Sequence, residues 1–212
     1  MPVVRTERPY GGVSAGERQA RRRTQLIDAG LELFGSRGYP QTTIRDVCAE
    51  AGLTERYFYE SFDGREALLV DVFEEVAGTA KEQVTAAVDA AGRDPAAGAH
   101  AAIDTFVAYL SDDPRRARVM FLESVGTSDA LELRRLATIS EFARMIRERI
   151  EALAGDAAPP QQDLELTTLG FVGAMSALLV YWLRGDLEIP RERLVEHCAG
   201  LLIAASAVRS GG

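Results

Sequence analysis

The sequence predicts an all-α protein of about nine helices. Apolar residues recur at helical spacing through most of the chain after Gly16, and no segment alternates convincingly at the two-residue period of a half-buried strand. Within residues 42–65, two short helical patterns are separated by a tight turn at Gly52. Two short helices joined in this way are typical of a helix-turn-helix, a motif that lays its second helix in the major groove of DNA.

The composition is typical of a soluble globular protein, with 47% hydrophobic and 26% charged residues in a chain of 212. No basic segment followed by an apolar stretch opens the chain, so we expect no secretory signal and a cytoplasmic location. Cys48 and Cys198 stand far apart, and His100 and His197 are the only histidines. We therefore expect no disulfide framework, no metal site and no cofactor.

Charge is distributed unevenly along the chain, although the net charge is −8. Residues 1–25 contain six arginines and two glutamates, a net charge of +4, whereas residues 66–212 contain 14 basic and 23 acidic residues, a net charge of −9. Contact with phosphate needs a local basic patch rather than a basic protein. The run Arg21-Arg22-Arg23 is a candidate for the DNA backbone or minor groove, and a solvated basic helix start is the alternative.

The chain begins with a predicted flexible arm, residues 1–16, which holds two Pro and three Gly without periodicity. A helix is predicted from Glu17 to about Ser36, with Gly38 and then Pro40 as its stop. We expect residues 17–65 to form a helix-turn-helix head and residues 66–212 a helical body.

The helix-turn-helix pattern has a capping signal at its start, since Thr43 is followed three residues later by Asp46. Gly52 supplies the permissive backbone of the turn, and Thr54 is placed to cap the second helix. The apolar faces are Ile44, Val47 and Cys48 on the first helix and Phe58 and Phe62 on the second. An ordinary helical hairpin would show the same features, so context must support DNA binding.

After Gly64 the chain is predicted to be helical almost throughout, with breaks at Gly92–Pro95, Pro114, Pro159-Pro160 and Gly185. The predicted helices cover approximately 66–91, 95–110, 115–125, 129–154, 163–184 and 190–209.

The segment from Ile27 to Val72 resembles the DNA-binding domain of the tetracycline-repressor (TetR-like) family of transcription regulators. The matching residues are Phe34, Gly38, Tyr39, Thr42, Thr43, Val47, Ala51, Gly52, Thr54, Tyr59, Phe62 and Glu66-Ala67-Leu68-Leu69. The resemblance implies a body that binds a small effector, whose occupancy changes the spacing of two heads. It also implies that the last two helices pair with their copies in a second subunit to form a four-helix bundle.

Four residues, in three places, depart from the family pattern. Arg56 and Tyr57 stand where many members carry Gly and then Thr, so the operator cannot be transferred from relatives. Cys48 stands where Ala is common, and we interpret it as a small buried hydrophobe rather than a sensor thiol. Arg65 replaces a frequent Lys, and either cation can contact a phosphate.

The exposed donors of the motif are expected to divide between positioning and reading. Thr43, Tyr59 and Arg65 are predicted to contact phosphates. The reading positions are at the start of the second helix, where Arg56 bidentate to a guanine is the sharpest expectation. The complete set of predicted DNA-binding residues is Thr43, Arg45, Thr54, Glu55, Arg56, Tyr57, Tyr59 and Arg65.

The segment from Leu166 to Leu183 holds eighteen residues without a charge, which is the lower limit for a membrane span. Glu165 and Arg184 border it without clustered basic residues, so we favour a subunit interface or core and expect no membrane partner. A homodimer would place two reading helices on half-sites of a palindromic operator. The predicted interface residues are Gly170, Gly173, Ala174, Ala177, Leu194 and Leu201.

A mostly apolar, partly aromatic effector is expected to bind between the middle helices of the body, although simple core packing is the better explanation for any one of the candidate residues. His100 is either exposed or a ligand contact. The candidate pocket residues are Phe106, Tyr109, Met120, Phe121, Phe142, Met145, Phe171, Met175, Tyr181 and Trp182.

The sequence therefore predicts a DNA-binding regulator, most simply a ligand-responsive repressor that binds double-stranded DNA as a homodimer. A regulator without a small effector, or an activator, is the alternative reading. An all-α enzyme is the alternative of a different class. It is disfavoured because we find no catalytic residue set, such as a nucleophile elbow, a metal-binding histidine pair or a phosphate-cradling glycine loop.

Overall fold

A computed structural model describes residues 14–206, which form nine α-helices and contain no strand. The predicted all-α class is confirmed. A π-helical turn, Val119–Glu123, extends α6, and short 3₁₀ turns occur at Tyr39–Gln41 and Gly155–Ala157. The helices are α1 Ala15–Ser36, α2 Ile44–Glu50, α3 Glu55–Tyr59, α4 Arg65–Ala90, α5 Pro95–Ser111, α6 Pro114–Arg118, α7 Asp129–Ala154, α8 Gln161–Leu183 and α9 Arg191–Ser206.

Helix α1 begins two residues earlier than the apolar pattern predicts. The Ser14 hydroxyl accepts from the Glu17 N–H at 3.1 Å, and the Glu17 carboxylate accepts from the Ser14 N–H at 2.6 Å. This capping box satisfies donors at the helix start, and the hydrophobic periodicity does not reveal it. Residues 1–13 of the predicted arm, and the predicted end of the last helix beyond residue 206, lie outside the described residues.

The head is built around α1, which packs against α2, α3 and α4. Leu26 and Phe34 of α1, Val47 of α2 and Phe58 of α3 are fully buried, together with Leu68 at the start of α4. Because α4 supplies core residues to the head and then runs on into the body, the two parts share a continuous hydrophobic core. The division at residue 65 stays a prediction.

In the body, α4 packs against α5, α5 against α9, and α7 against α8. Helix α8 buries one face, on which Leu164, Phe171 and Leu179 lie, and exposes the opposite face. Among the residues described, it has the length and composition of a membrane span, with 22% of its apolar window buried in the protein. Its uncovered face is therefore apolar.

The prediction that Leu194 lies in the dimer interface is wrong. Its side chain is 0% exposed because it lies on the face of α9 that packs into the core of the same protomer. Leu201, seven residues later on the same stripe of α9, is 43% exposed because the other helices do not cover that part of the stripe. A partner subunit could therefore contact Leu201 but not the side chain of Leu194.

Candidate DNA-binding surface and effector cavity

The start of α2 is closed by its own side chains. The Thr43 hydroxyl accepts from the Asp46 N–H at 3.2 Å, and the Asp46 carboxylate accepts from the Thr43 N–H at 2.9 Å and from the Thr43 hydroxyl at 2.6 Å. These hydrogen bonds lower the pKa of Asp46, and the nearby Arg37 and Arg45 lower it further. The capping box is confirmed. A phosphate at Thr43 would meet a hydroxyl that already has partners.

The turn between α2 and α3 has the geometry that its glycine predicts. Gly52 has a φ of +64°, in the left-handed region that favours glycine, and the Leu53 N–H donates to the Cys48 carbonyl at 2.9 Å. Thr54 occupies the N-cap position of α3, but its side chain makes no capping hydrogen bond there. The prediction that the Thr54 side chain caps α3 is therefore wrong. The Thr54 hydroxyl is exposed at the start of α3.

Helix α3 presents its first residues and Tyr59 to solvent. The Arg56 side chain is 85% exposed, and its Nε donates to the Glu60 carboxylate at 3.1 Å. Tyr59 is 58% exposed, whereas Phe58 is buried and anchors the helix to the core. Surface ion pairs contribute little stability, so Arg56 could leave Glu60 and bind a base edge at little cost in free energy.

Two arginines of the predicted basic run are engaged inside the head. Arg22 forms an ion pair with Glu60 at 3.5 Å and stacks on the Tyr57 ring at 4.4 Å. Arg23 forms an ion pair with Asp71 and stacks on the Phe62 ring at 4.8 Å. These contacts hold α1 against α3 and α4. Of the three arginines in the run, Arg21 has the most exposed environment.

Arg65 also has partners within the chain. Its guanidinium donates to the Thr42 carbonyl and lies over the Tyr39 ring at 4.1 Å. It therefore ties the start of α4 to the segment that leads into α2, and a phosphate contact by Arg65 stays a prediction.

Arg37 is a further candidate that the predicted set of DNA-binding residues did not include. It lies at the end of α1, is exposed, and together with Arg45 flanks the start of α2. Its position could have been predicted from the sequence, because the residue that ends α1 must lie close to the short connection into α2.

A cavity of about 850 Å³ lies between α4, α5, α7 and α8, within the usual size range of small-molecule sites. Its wall is mostly apolar. The structure brings seven of the ten predicted pocket residues to it: Phe106, Met120, Phe121, Phe142, Met145, Phe171 and Met175.

The remaining three candidates lie elsewhere. Tyr109 is buried between helices, with a hydrogen bond to Thr79 and the Arg116 guanidinium over its ring at 4.3 Å. Tyr181 lies on the exposed face of α8. Trp182 donates from its indole N–H to the Ile189 carbonyl at 2.9 Å, which holds the connection between α8 and α9.

Polar side chains in the cavity wall were missed because α7 reads as a charged surface helix. The Thr138 hydroxyl and the Arg149 Nε are buried without a hydrogen-bond partner among the described residues, and both residues line the cavity. Arg135 also lines it, and it donates two hydrogen bonds to Glu132 at 2.6 and 3.0 Å. A ligand with a polar group would give these donors a partner.

The exposed face of α8 holds the four small residues predicted for an interface: Gly170, Gly173, Ala174 and Ala177. Leu166, 72% exposed, and Ile203 of α9 extend the apolar area and were absent from the prediction. Gly173 and Ala177 also line the cavity, so its wall is thin where it reaches this face.

Other chemistry is not indicated in the part of the chain described. Residues 14–206 contain no group of three or more His, Cys, Asp or Glu that could hold a metal ion. Cys48 and Cys198 are buried and free, and burial raises the pKa of both thiols. His100 is exposed. Both cysteines therefore behave as packing residues.

Comparison with known proteins agrees with this geometry. Residues 26–72 match the family model of bacterial regulatory proteins of the tetR family. An uncharacterised HTH-type transcriptional regulator of Haemophilus influenzae is 26% identical over 66% of this chain and 67% of its own length.

Two solved structures share the fold. The fatty acid degradation regulator FadR of Bacillus halodurans has a TM-score of 0.75 at 20% identity, covering 89% of this chain and 97% of its own. FadR of Bacillus subtilis in complex with stearoyl-CoA has a TM-score of 0.72 at 19% identity, covering 87% and 97%. The helix-turn-helix head thus matches the tetR family of bacterial regulatory proteins over residues 26–72, and the whole described chain shares the all-α fold of the two solved regulators.

Proposed function

We propose that the protein is a ligand-responsive repressor, which binds a palindromic operator as a homodimer and releases it when a largely apolar effector fills the body cavity. The exposed start of α3 carries the DNA-binding part of this proposal. Thr54, Glu55 and Arg56 project from a helix whose opposite face is fixed in the core by Phe58. A rigidly held helix with exposed hydrogen-bond donors and acceptors is what base reading in the major groove requires.

The homodimer is supported by the uncovered apolar face of α8 and α9. Gly170, Gly173 and Ala174 let a partner helix approach closely, and Leu166 and Leu201 would lose their exposure to water. One α3 helix reads only a few base pairs. Two copies related by a twofold axis would address half-sites about 34–36 Å apart, or a multiple of that distance.

The effector is supported by the shape and lining of the cavity. Helix α7 contributes to its wall from Arg135 to Ala154, a run of roughly 28 Å at 1.5 Å per residue. The wall is mostly apolar, and its polar groups include the unpartnered Thr138 hydroxyl and Arg149 Nε. A long acyl chain with a polar group fits this description. FadR of Bacillus subtilis, which shares the fold, binds stearoyl-CoA.

Two alternatives remain within the same class. The cavity could be a packing defect, in which case the protein regulates without a small effector, or DNA binding could activate transcription. In either version the head acts on bacterial DNA in the cytoplasm. We retain residues 17–65 as the DNA-binding part and residues 66–212 as the effector-binding and dimerisation part of the proposal.

A selection of bound genomic fragments, followed by sequencing, tests DNA recognition. We expect the recovered fragments to share a twofold-symmetric motif, and binding to weaken steeply with salt because each neutralised phosphate releases counterions. Absence of any salt-sensitive, sequence-selective binding would overturn the proposal. Expression of an adjacent reporter, measured with and without the protein, separates repression from activation.

A further inference from the structure

The π-helical turn at Val119–Glu123 contacts both the cavity and the DNA-binding head. Met120 and Phe121 from this turn line the cavity, while Glu123 points to the opposite side and contacts the head. Turns of this type are rare and recur at functional sites. A movement of the cavity wall at Met120 and Phe121 therefore moves Glu123, which lies within the same five residues.

Glu123 holds the head through a compact set of hydrogen bonds. One carboxylate oxygen accepts from the Tyr39 backbone N–H at 2.8 Å, and the other accepts from the Arg118 Nε at 2.8 Å. Arg118 in turn donates to the Ser36 carbonyl at 2.9 Å. The Glu123 side chain is only 10% exposed, so water competes poorly for these bonds.

The backbone of the head is shaped to fit this clamp. Gly38 has a φ of +96°, and a Cβ there would lie 2.7 Å from the Arg118 Nη2 and 3.2 Å from a Glu123 carboxylate oxygen. Tyr39 begins the short 3₁₀ turn that leads into α2, and the Arg65 guanidinium stacks on its ring. The position of Tyr39 therefore sets where the start of α2 lies.

We propose that Glu123 is the residue that couples the cavity to the DNA-binding head. With the cavity empty, Glu123 holds Tyr39 and fixes the head in its operator-binding position. A ligand that displaces Met120 and Phe121 shifts the turn, and Glu123 then releases the Tyr39 N–H. This inference rests on the proposed effector site. A ligand shifts an equilibrium only when it favours one of two states. Here the two states differ in whether Glu123 accepts from the Tyr39 N–H.

The ligand-free test compares Glu123→Ala with Glu82→Ala, the same change at an exposed position of α4. We expect Glu123→Ala to accelerate hydrogen exchange of the Tyr39 amide by roughly 10- to 100-fold, the range of one charge-assisted hydrogen bond. Operator affinity should fall by about tenfold, because the head is no longer fixed. Glu82→Ala should change neither quantity.

The second arm uses stearoyl-CoA as the probe. In the unmodified protein it should accelerate Tyr39 amide exchange and weaken operator binding. Glu123→Ala should still bind stearoyl-CoA, measured by calorimetry, but its operator affinity should no longer respond to the ligand. Loss of the response with binding intact distinguishes a coupling residue from a residue of the cavity wall.

Two results would overturn the inference: unchanged Tyr39 exchange in Glu123→Ala, or unchanged operator affinity of the folded protein. Unchanged operator affinity with a lower melting temperature would make Glu123 a purely structural residue. Failure of stearoyl-CoA to bind the unmodified protein would instead contradict the proposed effector class. Failure to find an operator would contradict the proposed DNA recognition, and the response of Tyr39 exchange to stearoyl-CoA in the unmodified protein would then test the role of Glu123.

Discussion

Replacement of Gly35 by alanine should reveal how closely the head and body are packed. A Cβ at Gly35 would lie 2.3 Å from the Arg115 Cβ and 2.8 Å from its Cα. The second of these atoms is backbone, so it cannot move aside by a rotamer change. Helix α1 and the start of α6 must therefore separate to accommodate one methyl group.

The expected loss of unfolding free energy is the cost of overpacking minus the gain in helix propensity. Overpacking of this kind costs typically 1–3 kcal/mol, and a clash with backbone belongs at about 3 kcal/mol. Alanine is favoured over glycine in a helix by at most about 1 kcal/mol. We therefore expect a net loss of about 2 kcal/mol, which for a chain of this length lowers the melting temperature by about 4–8 °C.

The assay is thermal unfolding at one fixed protein concentration, since dimerisation would make the melting temperature depend on concentration. Gly78→Ala is the matched control. Gly78 lies inside α4, and a Cβ there would meet no atom within 4 Å. The control should gain up to about 1 kcal/mol. Equal melting temperatures for the two variants would refute the close contact between α1 and α6.

Three further predictions concern the core, the DNA surface and pH. Leu194→Ala should cost about 2–5 kcal/mol in unfolding experiments, whereas Leu201→Ala should mainly weaken dimerisation in analytical ultracentrifugation. Arg56→Ala should change which fragments a selection recovers, by about 1–3 kcal/mol of discrimination, whereas Tyr59→Phe should weaken binding to all fragments alike. Hydrogen bonds from Arg115 lower the pKa of Asp113, so the stabilisation it provides is present above the usual pKa of about 3.9 and is lost as pH falls through the lower folded-state value. Asp113→Asn should therefore flatten the fall in melting temperature as the pH is lowered below about 4; an unchanged slope would contradict this assignment.

The helices and the capped helix-turn-helix could be predicted because their causes are local. The capping box joins Thr43 to Asp46, only three residues later, and the turn at Gly52 depends on one backbone conformation. The partners of the arginines could not be predicted in this way. Arg22 pairs with Glu60 and Arg65 with the Thr42 carbonyl, which are 38 and 23 residues apart. No short-range pattern encodes such contacts.

The body shows a second limit of pattern reasoning. Leu194 and Leu201 are seven residues apart and so share one stripe of α9. Leu194 is nevertheless buried and Leu201 is exposed, because the other helices cover only part of that stripe. Likewise Phe106 lines the cavity and Tyr109, three residues later, does not. Periodicity assigns a face, but only tertiary packing decides what that face meets.

Our main proposal is that occupancy of the cavity controls how tightly the head binds DNA. The most direct measurement is the dissociation constant for the selected operator, determined by fluorescence anisotropy with and without saturating stearoyl-CoA. We predict that the dissociation constant rises at least about fivefold, the lower end of typical coupling between sites. An unchanged dissociation constant, with calorimetry showing stearoyl-CoA bound to the same protein, would contradict the claim.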